Sequence, residues 1–348
     1  MTASPALTTS FVGMRLQSPM IVASGPASHD VNQVQLAQER GIGAIVLKTV
    51  CSDKFAHMRD WPRPRYKLLD WDKQIDGRSK SFSLYSYEQG YSGTLDDYWE
   101  FIRVCKHHAR VPIIGSIFAD VAKDWADLAA HVEQSGADAV ELDISSPHRP
   151  GSLDFEHTFI AAIAAVVAAV RIPVIVKLAS TPDLVHQCLA AQEAGARAVT
   201  LCNRIRGFDI DIESQRPILH GFYAGVGGPW AKYYTFRHVA EAAQAITIPI
   251  SATGGVNAGE DVIKYILLGA TTVQFLSMIM INGWDSIGTV HAAITAYMER
   301  KSITSLEQIR GVALQYMTHP DEIIRWSGEP KRGARNVWAG GHNGKRTS

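Results

Sequence analysis

The chain has 348 residues, its 34 Lys and Arg balance 34 Asp and Glu, and 46 % of it is apolar. That balance excludes the basic excess of a nucleic-acid or membrane-surface binder, and the apolar fraction suffices for a large core. The longest apolar run, Phe159–Val170, has 12 residues, short of the roughly 18 or more of a membrane span, and reads as a buried Ala-rich helix. The first residues, Met1–Ser10, show no basic stretch followed by an apolar one, so no signal peptide is expected. Cys51, Cys105, Cys188 and Cys202 form no C-x-x-C pair. No iron–sulfur or zinc module and no metal site is expected, and the thiols read as reduced core residues of a cytoplasmic protein.

In chain order, apolar runs predict strands at Met20–Ser24, Ala44–Val50, Pro112–Phe118, Ala139–Ile144, Pro173–Leu178, Ala198–Asn203, Pro249–Thr253 and Thr272–Ser277. Helical patterns lie between them. In Val121–Ser135, for example, Trp125, Leu128, Ala129 and Val132 share one face. Gly43, Gly136, Gly195 and Gly269 each precede a strand and read as left-handed helix ends. Strand–helix alternation repeated about eight times predicts an α/β fold, a (β/α)₈ TIM barrel, with a doubly wound open sheet as the alternative. The predicted barrel domain covers 1–312, and 313–348 is a C-terminal extension expected to be partly flexible.

Two connections exceed ordinary loop length. One follows the second strand, from Cys51 to about Asp96, and the other follows the sixth, from Arg204 to about Tyr234. Both are rich in aromatic residues and both fall on the C-terminal face, where barrel chemistry occurs. They read either as a lid or as a subunit interface.

Polar residues stand at the ends of the apolar runs: Ser24, Lys48, Thr49, Ser116, Asp143, Lys177, Asn203, Thr253 and Ser277. Two lysines and a carboxylate there are costly to bury without a partner or ligand. A Lys–Asp ion pair inside the barrel mouth is the simplest structural explanation. Gly254 and Gly255 after the seventh strand, with Ser277 after the eighth, form the usual barrel phosphate site. A phosphate-bearing cofactor or substrate is therefore expected.

These residues carry a family resemblance. Thr253-Gly254-Gly255-Val256 followed by Gly269 through Gln274 resembles the flavin-phosphate motif of the dihydroorotate dehydrogenase family. Leu47-Lys48-Thr49, Val176-Lys177-Leu178, Cys202-Asn203 and the Pro62-Arg63-Pro64-Arg65 loop are similar to its other motifs. Glu141 through His148 resembles its E-L-N-x-S-[CS]-P-[NH] segment, and the likeness runs from Phe11 to Gly311. The resemblance implies an FMN flavoprotein oxidoreductase acting on a ring CH–CH bond, related also to the dihydropyrimidine dehydrogenases and to pyrimidine metabolism. It implies FMN contacts from Ala23, Ser24, Lys48, Thr49, Asp143, Lys177, Gly228, Gly254, Gly255 and Ser277. By the same resemblance Ser146 takes a proton from C5 while hydride passes from C6 to the flavin, with Lys48 and Lys177 as further catalytic groups. His148 either assists Ser146 or only caps its loop. A homodimer is also expected, and the electron acceptor stays open among fumarate, another soluble oxidant, NAD(P) and a separate electron-transfer partner.

Departures from the family concern the substrate. Tyr87, Asp143 and His148 stand where pyrimidine-binding asparagines belong, Asn203 remains, and Arg204 replaces a small residue. An ionised Asp143 only accepts hydrogen bonds and would repel orotate's carboxylate. The expected reaction is hydride transfer between a dihydropyrimidine-like ring and FMN. The alternatives are a genuine dihydroorotate dehydrogenase with a soluble acceptor, a non-redox phosphate-binding lyase or isomerase using Lys177 or Lys48, and a flavin-binding protein whose substrate site has decayed.

Overall fold

The computed structural model describes residues 7–59, 65–69, 74–75, 79–80, 82–87, 90–144, 159–219 and 223–318. The chain divides into two compact units, Met1–Leu314 and Gln315–Ser348, and the fold below is that of the first. Eight parallel strands form its centre: β1 (Met20–Val22), β2 (Ala44–Val46), β3 (Ile113–Phe118), β4 (Ala139–Asp143), β5 (Val174–Ala179), β6 (Ala198–Asn203), β7 (Ile250–Thr253) and β8 (Thr272–Phe275). Each pairs with the next, and β8 pairs with β1 through Gln274 opposite Ile21, so the sheet closes. Closure removes the edges that an open doubly wound sheet would leave. The fold is a (β/α)₈ barrel.

A helix follows every strand: α1 (Val31–Glu39), α2 (Leu95–His108), α3 (Ala122–Gln134), α4 (Ile160–Ala169), α5 (Leu184–Glu193), α6 (Lys232–Ala245), α7 (Gly259–Leu267) and α8 (Asp285–Arg300). Local chemistry sets their starts. Asp30 caps α1 by accepting from Gln33 N at 3.0 Å, and Thr94 with Asp97 forms a capping box at α2. Trp125, Leu128, Ala129 and Val132 form the buried face of α3. The Ala-rich α4 buries one face only, through Ala162, Ile163 and Val166. It lies in the outer ring, with one side against the barrel and α3 and the other toward solvent. Among the described residues no helix is long and apolar enough to cross a membrane.

Two local readings change. Gly136, Gly195 and Gly269 have positive φ, but before β2 the left-handed residue is Gly41, at φ 84°. Gly43 is needed instead for close approach, since a Cβ there would meet Ser18 O at 2.1 Å. The second strand also breaks after Val46 and resumes at Val50–Cys51, which pairs with Ile117 and Phe118 of β3. Leu47, Lys48 and Thr49 occupy the break, so Lys48 and Thr49 lie in an irregular stretch inside the strand's path rather than at its end.

The barrel interior has two zones. Ile21, Ala44, Val46, Ile114, Ala139, Ile175 and Ala198 fill its lower part with Phe11 and Leu16. The last two come from an antiparallel hairpin, Thr9–Phe11 with Met14–Leu16, which packs on the inner residues of the strands. Above this apolar zone the inward side chains become polar: Ser116, Glu141, Lys177, Thr200, Ser251, Thr272 and Gln274, all buried.

The two long connections meet. Ile205–Gly207, Ala224–Gly227, Ser83–Tyr87 and Arg65–Leu69 pair in that order as a four-stranded antiparallel sheet. Tyr85 is fully buried with Leu219 and Ala224 on this sheet.

Candidate active site

The C-terminal mouth holds a cleft open to solvent. Ala23, Ser24, Lys48, Thr49, Asp143 and Lys177 line it from the first half of the barrel, and Asn203, Arg204, Gly228, Gly254, Gly255 and Ser277 from the second. The structure thus brings these sequence-selected residues together. Ser146 and His148 lie outside the described residues, and Tyr87 is placed only by its backbone, opposite Arg65 in the antiparallel sheet. Leu84, Val226 and Gly227 of that sheet form one wall, so the long connections cover the mouth.

At one end of the cleft, β7 runs into Gly254 and Gly255, whose φ values of 120° and 73° suit only glycine. A Cβ at Gly255 would lie 2.2 Å from Lys232 N, so the turn packs directly on the start of α6. Tyr265 OH donates to Gly254 O at 2.6 Å and holds that carbonyl in place. The N–H groups of Gly255, Val256 and Ser277 have no acceptor among the described residues. Convergent backbone donors without acceptors suit a phosphate monoester. This donor set fits the phosphate of FMN.

Along the floor runs a ladder of hydroxyls. Ser24 Oγ and Thr49 Oγ1 are 2.8 Å apart, Thr49 N donates to Ser24 Oγ at 2.9 Å, and Thr49 Oγ1 reaches Ser116 Oγ at 2.8 Å. Tyr98 OH closes the ladder on the backbone of Ser116. The break in β2 is what turns Thr49 into this line. Cys51 also lines the cleft, but burial pushes its thiol up to about 12, as it does for Cys105 and Cys188. None of these is a nucleophile at neutral pH.

At the other end Asn203 Nδ2 donates to Asp143 Oδ1 at 2.9 Å, while Asn203 Oδ1 accepts from Arg204 N at 2.9 Å. Asp143 is therefore held by Asn203. The Arg204 guanidinium turns to the covering sheet and donates to Ser86 Oγ and to Ser86 O. Gly225 makes room for it, because a Cβ there would lie 2.7 Å from Arg204 Cζ.

Some site-forming residues escaped sequence reasoning. Glu141 is fully buried beneath the cleft, with Oε2 accepting from Thr200 Oγ1 at 2.7 Å and Gln274 Nε2 at 2.9 Å. Lys177 Nζ stands 3.7 Å from its other oxygen. An ion pair does stand at the barrel mouth, with Glu141 rather than Asp143 as its carboxylate. A carboxylate inside an otherwise apolar strand was the signal available. At the top of β5, Ser180 Oγ is 2.8 Å from His238 Nε2 on α6, and burial pushes the His238 imidazole below its ordinary value. That pair left no signal, since its members are 58 residues apart in unrelated patterns. Among the described residues no group of three or more His, Cys, Asp or Glu is placed to hold a metal ion.

The sequence matches the family model described as dihydroorotate dehydrogenase over residues 6–298. It is 29 % identical over 315 residues to the dihydroorotate dehydrogenase B (NAD(+)), catalytic subunit, of Thermococcus kodakarensis, covering 89 % of this chain and 98 % of that one. The protein of the same name from Methanosarcina acetivorans is 30 % identical over 310 residues, covering 86 % and 94 %. That from Pyrococcus furiosus is 29 % identical over 307 residues, covering 86 % and 96 %. A closed barrel with a donor-lined glycine turn, and a family match across nearly its whole length, lead to one conclusion: the chain belongs to the dihydroorotate dehydrogenase family, whose members are oxidoreductases acting on CH–CH groups.

Proposed function

We propose that the cleft binds FMN and that the chain moves hydride between that flavin and a ring CH–CH bond of a dihydropyrimidine-like substrate. The observation that carries this reading is the joining, in one cleft, of the donor-lined glycine turn, two lysines and the Asp143–Asn203 pair. FMN supplies a two-electron hydride acceptor when bound. Gly254, Gly255 and Ser277 bind its phosphate, and Ala23, Ser24, Thr49 and Gly228 line its seat. Lys48 and Lys177 place positive charge where negative charge develops during reduction. Ser146 is assigned proton removal by its place in the family motif, with the covering sheet excluding water.

Asp143 selects the substrate. Its Oδ1 is taken by Asn203, and Oδ2 has no partner among the described residues. An acceptor facing the cleft calls for an N–H or NH₂ on the ring and repels a ring carboxylate. A neutral or amino-bearing dihydropyrimidine therefore suits the site better than dihydroorotate. The similar chains named catalytic subunits support a separate electron-transfer partner as the reoxidant. The test has two steps. Purified protein is expected to show flavin absorption. Anaerobic mixing with dihydrouracil, dihydrothymine or amino-substituted dihydropyrimidines is then expected to bleach it faster than dihydroorotate does. Rapid saturable bleaching by micromolar dihydroorotate overturns the substrate assignment, and a colourless protein that takes up no FMN overturns the cofactor.

A further inference from the structure

One fully buried polar group of the barrel is a carboxylate to which the reaction above gives no task. Glu141 is 0 % exposed and Lys177 is 6 % exposed. Thr200 Oγ1 and Gln274 Nε2 both donate to Glu141 Oε2, and Gln274 Nε2 also donates to Thr200 Oγ1 at 3.2 Å. Two donors on one oxygen fix the carboxylate in place and keep that oxygen an acceptor. The second oxygen, Oε1, makes no hydrogen bond and lies 3.7 Å from Lys177 Nζ. A charge buried this far from water persists only when compensated. Glu141 lies within ion-pair reach of Lys177. The separation is that of an ion pair rather than of a hydrogen bond. Lys177 also lines the cleft, so it faces Glu141 on one side and the ligand space on the other.

We infer that Glu141 is a positioning residue, the fixed counter-ion that holds the Lys177 ammonium at the cleft floor and attenuates its charge toward an anion bound above. Resting on the FMN reading, that anion is the reduced flavin, and Glu141 sets how strongly Lys177 favours it. The pair contributes no net charge to the floor. Removing Glu141 leaves one positive charge, removing Lys177 leaves one negative charge, and removing both restores neutrality.

Sulfite affinity and reduction potential of the flavin-loaded protein read this charge directly, because both rise with positive charge near the flavin. Glu141→Gln, equal in shape, is expected to tighten sulfite binding by roughly 10-fold or more and to raise the potential. Lys177→Met is expected to shift both the opposite way, and the double variant to return near wild type. A role confined to packing moves neither quantity upward. Glu141→Gln with unchanged or weaker sulfite affinity overturns the inference while leaving the FMN reading intact. Lys177→Met without effect in a flavin-loaded protein removes Lys177 from the flavin, and with it the basis of the inference. A protein that binds no FMN fails the earlier reading instead. If the Glu141→Gln chain does not fold, urea unfolding of the double variant decides. Greater stability of the double variant than of Lys177→Met supports the ion pair, and equal or lower stability overturns it.

Discussion

In the proposed function, substrate choice turns on the 2.9 Å bond from Asn203 to Asp143. It uses one carboxylate oxygen and leaves a full negative charge at the cleft wall. Sites built around a hydrogen-bonding pattern reject mismatched ligands strongly, because buried groups are left unpaired. Asp143→Asn converts that charge into an amide with both donor and acceptor. We expect the variant to gain about 10-fold or more in the rate of flavin bleaching by dihydroorotate relative to dihydrouracil, since a repulsion of this kind is a few kcal/mol when poorly screened. Flavin content stays unchanged. Stopped-flow reduction under anaerobic conditions measures the ratio, and a ratio equal to wild type removes Asp143 from specificity. Gly255 sits at the opposite end. A β-branched side chain at φ 73° and 2.2 Å from Lys232 N cannot be accommodated without moving the turn. Gly255→Val is accordingly expected to lose most bound FMN, read as the flavin-to-protein absorbance ratio after purification.

At the scale of elements, the barrel was legible because its signals are local. Apolar strands, amphipathic helices such as α3 and left-handed glycines before β4, β6 and β8 each occupy one short window of sequence. The covering sheet was not, since it joins Ser83–Tyr87 to Ala224–Gly227, segments far apart in sequence that meet only after the barrel has brought their ends together. The break in β2 was hidden for a different reason: Leu47 and Val50 are as apolar as the strand itself, and only the Ser24–Thr49 pairing reveals the turn. In the site, the residues at strand ends could be read, whereas Glu141 stands inside a motif and its burial against Thr200 and Gln274 is visible only in the fold. His238, on α6, is another product of packing. Its neighbours are Ser180 on the β5 connection and Glu241 and Arg237 on its own helix, with Glu241 Oε2 3.7 Å from Nδ1. Burial is the largest influence and holds its value below the usual 6.5. The unfolded chain therefore binds the proton more readily than the folded one. Its contribution to stability is complete above about 6.5 and is lost as pH falls through the lower folded value. His238→Gln is expected to flatten that part of the acid limb, so the variant's loss of urea midpoint between pH 7.5 and 5.5 is smaller than that of wild type. Parallel curves for the two proteins show that His238 does not titrate on unfolding.

For the molecule as a whole, the barrel separates stability from chemistry along its axis. The lower interior is apolar and filled by Phe11 and Leu16 from the hairpin together with the inner residues of β1 to β6. The upper interior is polar, and its atoms without hydrogen-bond partners among the described residues, Ser251 Oγ, Thr272 Oγ1 and Gln274 Oε1, all lie above that plug. Buried polar atoms without partners cost stability, and the apolar zone beneath must offset them. Phe11 is 1 % exposed and is the largest side chain of the lower cluster, so truncating it leaves a cavity that rigid strands cannot collapse around. Phe11→Ala is expected to destabilise the fold by about 3–5 kcal/mol, the range for deleting a buried aromatic ring. The Glu141–Thr200–Gln274 network stands between that cavity and the cleft, and its hydrogen bonds do not involve the hairpin. The same variant is therefore expected to keep its flavin content and its reduction potential at a temperature where it remains folded. Urea unfolding followed by tryptophan fluorescence gives the first quantity, and a spectroelectrochemical titration gives the second. A large loss of stability with an unmoved potential establishes the separation; a potential that shifts with Phe11 shows that the plug and the cleft floor are one mechanical unit.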